Sequence, residues 1–171
     1  MAFDLRHGHA ALRLGRWSES GADYFLTICT HERTKGLTGP LIVSAIWRES
    51  DRLADESVWL MRTAVVMPDH LHLLVTLQGK ADLSSAVRQF KGRLTPVLRQ
   101  YGLRWQQAYF DHRLRVNEDR LPVFLYIFLN PYRAGLIPSS KSWPGYRCHP
   151  DDWTWFGPMT NSSCPMPEWL D

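Results

Sequence analysis

A chain of 171 residues, 44% apolar and 22% charged, has the material for one ordinary core and little beyond it, so a single folded domain is expected. No apolar run reaches the roughly 18 residues of a membrane span, and residues 1–7 hold no leader-like apolar stretch, so a cytoplasmic protein without a membrane partner is expected. The net charge of +3 is uneven: beyond Arg147 there are four acidic residues and no Lys or Arg, which leaves about +7 on residues 1–147, a balance that suits a polyanionic partner.

Residues 1–22 are polar, with scattered Arg and Gly, and read as an irregular arm. Residues 24–30 are rich in β-formers and predict a first strand that includes Cys29. Gly39-Pro40 opens a helix on which Ile42, Ile46 and Leu53 recur at helical spacing up to about Glu56. Two strands follow, over 58–66 and 70–77, joined by the short turn Met67-Pro68-Asp69 and therefore antiparallel neighbours. Residues 82–101 predict a second helix. Val87, Phe90, Leu94 and Leu98 line its apolar face, Arg88, Lys91, Arg93 and Arg99 make it basic, and Pro96 should kink it or end it early. A fourth strand lies around Tyr109-Phe110-Asp111-His112. A third helix follows, with Asp119 as N-cap and Pro122 in its first turn. It should present Leu121, Leu125, Phe128 and Leu129 to the core, be distorted or ended by Pro131, and stop at Gly135. The proline-rich remainder, 138–171, reads as an irregular wrap or tail.

The first six elements, β-α-β-β-α-β, match the ferredoxin-like plan, an α+β fold in which helices back an antiparallel sheet. The expected division is a body over 1–147 and an acidic, Trp- and Pro-containing tail over 148–171. The cysteines Cys29, Cys148 and Cys164 are odd in number and lack CxxC spacing, which argues against a disulfide framework or a thiolate zinc site.

Strand alternation sends His70, His72 and Leu74 to one sheet face and Leu71, Leu73 and Val75 to the other. Two imidazoles so placed can share a metal ion and leave coordination positions open. They can equally be polar residues on a solvated face. On the third helix, Tyr126 and Asn130 stand at i and i+4 and share a face, a potential nucleophile beside an oxygen donor. Either residue alone would be a helix-edge tyrosine or a capping asparagine.

Residues 65–75, which contain His70-Leu71-His72, resemble the HUH motif, where U is hydrophobic. Trp105-Gln106, residues 109–112 and Leu114-Arg115 resemble the segment that follows it. Residues 126–136, Tyr126-Ile127-Phe128-Leu129-Asn130-Pro131 onward, resemble the YxxxNPxxAG helix. In this order the chain resembles the REP-associated tyrosine transposases, a branch of the single-tyrosine HUH transposases of insertion sequences, over about residues 10–147. The resemblance implies an HUH endonuclease-type fold with an added C-terminal helix that carries the tyrosine. It implies metal-dependent nicking and joining of single-stranded DNA near hairpins through a 5′-phosphotyrosine intermediate. Tyr126 is then the nucleophile, and His70, His72 and Asn130 hold the ion.

A tyrosine hydroxyl titrates near about 10 and needs help as a nucleophile at neutral pH. Two imidazoles and an amide oxygen suit Mg²⁺ or Mn²⁺. No nucleotide-binding motif is present, and phosphodiester exchange needs no nucleotide cofactor. Asp69, Asp111 and His112 are candidates to orient the ligands, with turn and edge-strand roles as their alternatives. Arg13, Arg16, Arg88, Lys91, Arg93, Arg99 and Trp105 are candidates to bind single-stranded or hairpin DNA, each with a solvated or core role as its alternative. The tail, with Trp153, Trp155 and Trp169, either folds over the DNA surface as a partial inhibitor or packs elsewhere. A non-catalytic binding module and a phosphodiesterase without a covalent intermediate are the rival readings, and both monomer and homodimer fit the sequence.

Overall fold

The computed structural model describes residues 18–80 and 82–160. Among these, the chain forms β1 (Asp23–Cys29), α1 (Pro40–Asp55), β2 (Trp59–Val66), β3 (His70–Leu77), α2 (Leu83–Gln100), β4 (Phe110–Arg113), α3 (Leu121–Arg133), β5 (Tyr146–Cys148) and α4 (Pro150–Phe156). The strands make one sheet in the order β4-β1-β3-β2-β5, and all neighbours are antiparallel. The α+β, ferredoxin-like expectation holds, with one further strand added at the β2 edge.

The two sheet faces build two cores. Tyr24, Leu26 and Ile28 of β1 and Leu71, Leu73 and Val75 of β3 alternate onto one face. There they pack with Ile42, Ile46 and Leu53 of α1 and with Val87, Phe90, Leu94 and Leu98 of α2. Leu74 and Val65 point to the other face and pack with Val123, Phe124 and Ile127 of α3 and with Phe156 of α4. The helical repeat of the first set and the period-two repeat of the strands are what place one apolar surface against the other.

Several expectations are corrected. Pro96 does not end α2, which runs on to Gln100. Gly92, whose carbonyl Pro96 leaves without an amide donor, is exposed, so water can serve that carbonyl. Pro131 does not end α3, which continues to Arg133 before Gly135 takes a positive φ of 65°. Val123, Phe124 and Ile127 of α3 enter the core, Leu121, Leu125 and Phe128 pack against it partly buried, and Leu129 is buried outside that cluster. Asp119 does accept the Leu121 amide at 2.9 Å, but the N-cap position itself falls one residue later, on Arg120.

The largest correction falls on the stretch after 138, expected to be irregular. Residues 146–148 pair with β2 as a strand, and α4 follows at once. β5 runs across position 147, where the sequence reading places the end of the body. Gly145 allows this docking, because a Cβ there would lie 2.8 Å from the Val66 carbonyl oxygen and 2.8 Å from Trp143 Nε1. Its own carbonyl accepts the Val66 amide at 2.7 Å. Arg13, Arg16, Cys164 and Trp169 lie outside the described residues.

Candidate active site

β3 is the central strand, and His70 and His72 leave it on the α3 side. The pairing of β1 with β3 sets Thr27 opposite His72 and Cys29 opposite His70. Thr27 Oγ1 lies 2.9 Å from His72 Nδ1, and Asp69 Oδ1 lies 2.6 Å from His70 Nδ1. With their Nδ1 atoms engaged, the two rings turn their Nε2 atoms toward each other at 3.1 Å. A carboxylate can only accept, so His70 donates from Nδ1 and keeps a lone pair on Nε2. The Thr27 hydroxyl can donate or accept, so His72 can offer Nε2 either as an N–H to His70 or as a lone pair to an ion.

The alternative of a solvated strand face is overturned. His72 is 5% exposed. Phe25 stacks on its ring at 5.4 Å, and the Tyr126 ring meets it edge-on at 5.1 Å. Tyr126 also packs edge-on against Phe25 at 5.7 Å, and its hydroxyl is 3.5 Å from His72 Nε2. α3 thus brings a phenol to the histidine pair from a segment 54 residues away. The Arg133 guanidinium lies over the Tyr126 ring, 5.9 Å from its centroid.

Burial sets the charge of the pair. It pushes His70 below its ordinary value, against the opposing pull of Asp69. It holds His72 well below its ordinary value, with His70 and Arg33 adding to the effect. Both rings are therefore neutral imidazoles at neutral pH, the form that binds metals. The Cys29 thiol is pushed up, first by burial, and stays protonated rather than thiolate.

The residues present fit a hard divalent ion better than a thiolate site. Two Nε2 atoms 3.1 Å apart have the separation of adjacent ligands that each lie about 2.1 Å from one ion. Among the described residues no third His, Cys, Asp or Glu completes a metal-binding group with them. A third protein ligand must then be of another type. Asn130 lies one turn beyond Tyr126 on the same flank of α3 and is half-buried.

The other sequence candidates are spread more widely. Asp111 pairs with Leu26 in the β1–β4 register and so leaves the sheet on the side away from the histidines. His112 pairs with Phe25, on the histidine side, and its Nε2 lies 3.0 Å from Glu118. Arg88, Arg93 and Arg99 are exposed on α2, which covers the opposite face of the sheet. Lys91 donates to the carbonyls of Gln106 and Gln107 at 2.6 and 3.0 Å. Trp105 packs against the α1–α2 core, and its Nε1 is buried without a hydrogen-bond partner among the described residues.

Sequence reasoning missed Thr27, Phe25 and Arg33. The first two were readable only once β1 was laid beside β3 in register. Arg33 stands in a short turn after β1, where both it and Glu32 have positive φ near 50°, and its Nη1 lies 3.8 Å from Asp69 Oδ2. Such backbone is costly for residues with a side chain and is held here by amides bonded to the Thr30, His31 and Pro68 carbonyls.

Residues 18–114, more than half of the chain, match the family described as Transposase IS200 like. The chain belongs to the IS200-like transposases. The matched stretch of this IS200-like chain contains both histidines and stops short of Tyr126. The REP-associated tyrosine transposase of Escherichia coli strain K12 is 29% identical to it over 143 residues, 80% of this chain and 82% of that one. A solved structure of a REP-associated tyrosine transposase bound to a REP hairpin has the same fold. It aligns with a TM-score of 0.65 at 24% identity over 77% of this chain and 79% of the other. No helix among the described residues is long and apolar enough to cross a membrane.

Proposed function

We propose that this IS200-like transposase cuts and rejoins single-stranded DNA near hairpins, with Tyr126 as the nucleophile and His70, His72 and Asn130 as the ligands of a Mg²⁺ or Mn²⁺ ion. The observation that carries the reading is the Tyr126 hydroxyl 3.5 Å from His72 Nε2, beside two neutral imidazoles whose Nε2 atoms converge. The hairpin partner is taken from the related protein that was solved with one.

The phenol oxygen of Tyr126 forms a bond to the scissile phosphorus while the bond from phosphorus to the 3′-oxygen breaks. The 5′ side stays on the enzyme as a phosphotyrosine, and the released strand ends in a 3′-hydroxyl that takes up a proton. One phosphodiester replaces another, so the reverse attack can join strands without a nucleotide. The bound ion would supply positive charge to the phosphate oxygens. The stacked Phe25 and His72 rings both pack against the phenol ring, which limits its motion before attack. Thr27 and Asp69 hold the imidazole rings in place.

The test is incubation with end-labelled single-stranded hairpin DNA and Mn²⁺ or Mg²⁺, followed by denaturing electrophoresis. A protein–DNA adduct that disappears in Tyr126→Phe is expected. Cleavage by Tyr126→Phe at the wild-type rate overturns the nucleophile. Cleavage without any adduct points to a phosphodiesterase, and hairpin binding without metal-dependent cleavage points to a binding module.

A further inference from the structure

The segment after α3 lies beyond the stretch that matches the family, yet it is bound tightly to the helix that carries Tyr126. β2 contains a register shift between Met61 and Thr63. Met61 and Ala64 both face the α1–α2 core, so the extra residue leaves Arg62 and Thr63 together turned toward the C-terminal segment. There Arg62 Nη2 meets Asp152 Oδ1 at 2.7 Å, and its carbonyl accepts the His149 amide at 2.8 Å. Asp152 is 1% exposed and also receives Trp155 Nε1 at 3.4 Å. One buried ion pair therefore anchors α4 to the edge of the sheet.

From that anchor α4 presses aromatic rings onto α3. Phe156 is fully buried, with its ring 5.2 Å from Phe124 and 5.7 Å from Phe128. Trp155 lies 4.8 Å from Phe124, and Tyr146 of β5 meets Phe128 edge-on at 5.0 Å. Helical geometry puts these contacts in a definite place. At about 100° per residue, Val123, Ile127 and Pro131 form the stripe facing the sheet, Tyr126 and Asn130 stand on one flank of it, and Phe124 and Phe128 stand on the other. The sheet contacts alone resist lifting of the helix but resist rolling poorly. The aromatic grip on the far flank opposes the roll.

We propose that Asp152, Trp155 and Phe156 are positioning residues that set the roll of α3 and thereby the reach of the Tyr126 hydroxyl to the histidine pair. This rests on Tyr126 being the nucleophile. The phenol oxygen of a tyrosine stands about 9 Å from its helix axis, so a roll of about 10° moves it by about 1.5 Å. A displacement of that size costs on the order of 100-fold in a positioned reaction.

The test uses the full chain labelled with 3-fluorotyrosine, with the Tyr126 fluorine signal assigned by its loss in Tyr126→Phe. Measurements are made well below each variant's melting temperature. Phe156→Ala is expected to shift or broaden that signal. It should lower single-turnover cleavage of hairpin DNA roughly 10- to 100-fold while leaving hairpin affinity within about twofold, and Phe156→Leu should recover most of the rate. If Phe156→Ala does not fold, Trp155→Ala decides, because it removes an exposed ring in contact with Phe124 and opens no buried cavity. A folded variant with wild-type signal and rate overturns the proposal. Affinity and rate falling together in step with melting temperature overturn it too, since that is loss of fold and not of roll. Wild-type cleavage by Tyr126→Phe would defeat the nucleophile instead, and the fluorine signal would still report whether α4 sets the roll of α3.

Discussion

Thr27 carries more of the site than its sequence context shows. Its hydroxyl is the partner of His72 Nδ1, and it reaches that position only because β1 pairs with β3 in one particular register. Partners of this kind typically change metal affinity 10- to 100-fold. Thr27→Val keeps the shape and removes the hydroxyl. Calorimetric Mn²⁺ affinity is expected to fall by about that factor while the fold is kept, and unchanged affinity would separate Thr27 from the ion. His70, His72 and Tyr126 were legible because a period-two strand and a helix each expose their own spacing. Thr27 and Phe25 were not, because a single strand does not state its neighbour. Asp69 could be read as a turn residue or as a partner of His70, and the structure has it in both places. For Asp111 the edge-strand alternative agrees with the register, for a local reason. Neighbours on a strand point oppositely, so it and His112 were never able to serve the same face.

At the scale of the element, caps and prolines behave unequally. Asp82 caps α2 by accepting from the Ser85 amide at 2.9 Å and the Ser85 hydroxyl at 2.8 Å, and these bonds lower its pKa. Replacing an N-cap aspartate by alanine costs about 1 kcal/mol. Because the folded value lies below the unfolded one, the stabilising contribution of the charge is complete above the ordinary carboxylate range and is lost as pH falls through the lower folded value. Urea denaturation of Asp82→Ala should therefore show about 1 kcal/mol less stability than wild type at pH 7 and a smaller gap near pH 3. A gap independent of pH would assign the effect to the backbone. Pro96 and Pro131 were read as stops because local sterics disfavour them inside helices. Burial of Leu94 and Leu98 around Pro96, and of Leu129 beside Pro131, outweighs that cost. The basic face of α2 was legible as a pattern, but its side of the sheet was not. Only the packing of α1 and α2 on Leu71, Leu73 and Val75 shows that Arg88, Arg93 and Arg99 look away from the histidines.

For the molecule as a whole, the stretch after 138 was the part least open to reading. β5 has three residues between Pro144 and Pro150, too few to show alternation, and α4 has seven, too few to show a helical stripe. Their contribution comes from long-range partners: Thr63 with Tyr146, Arg62 with Asp152, and Phe124 with Phe156. Truncation after Arg147 removes Asp152 and Phe156 together. It leaves Arg62 without its ion-pair partner and exposes to water the apolar faces of Phe124 and Phe128 that α4 covers, a loss of burial of about 25 cal/mol per Å². The truncated chain is expected to melt many degrees lower or to be insoluble, and an unchanged melting temperature would show the segment to be dispensable for folding.

The strand order has one more consequence. β3 is paired by backbone hydrogen bonds along its length on both edges, whereas α3 is held by side-chain packing alone, on the sheet and on α4. Amide protons of Leu71 and Leu73 should exchange with deuterium only through near-global opening, and those of α3 through smaller and more frequent openings. The two halves of the site would then differ in permanence: an imidazole pair that persists as long as the domain is folded, and a phenol on an element able to detach and return.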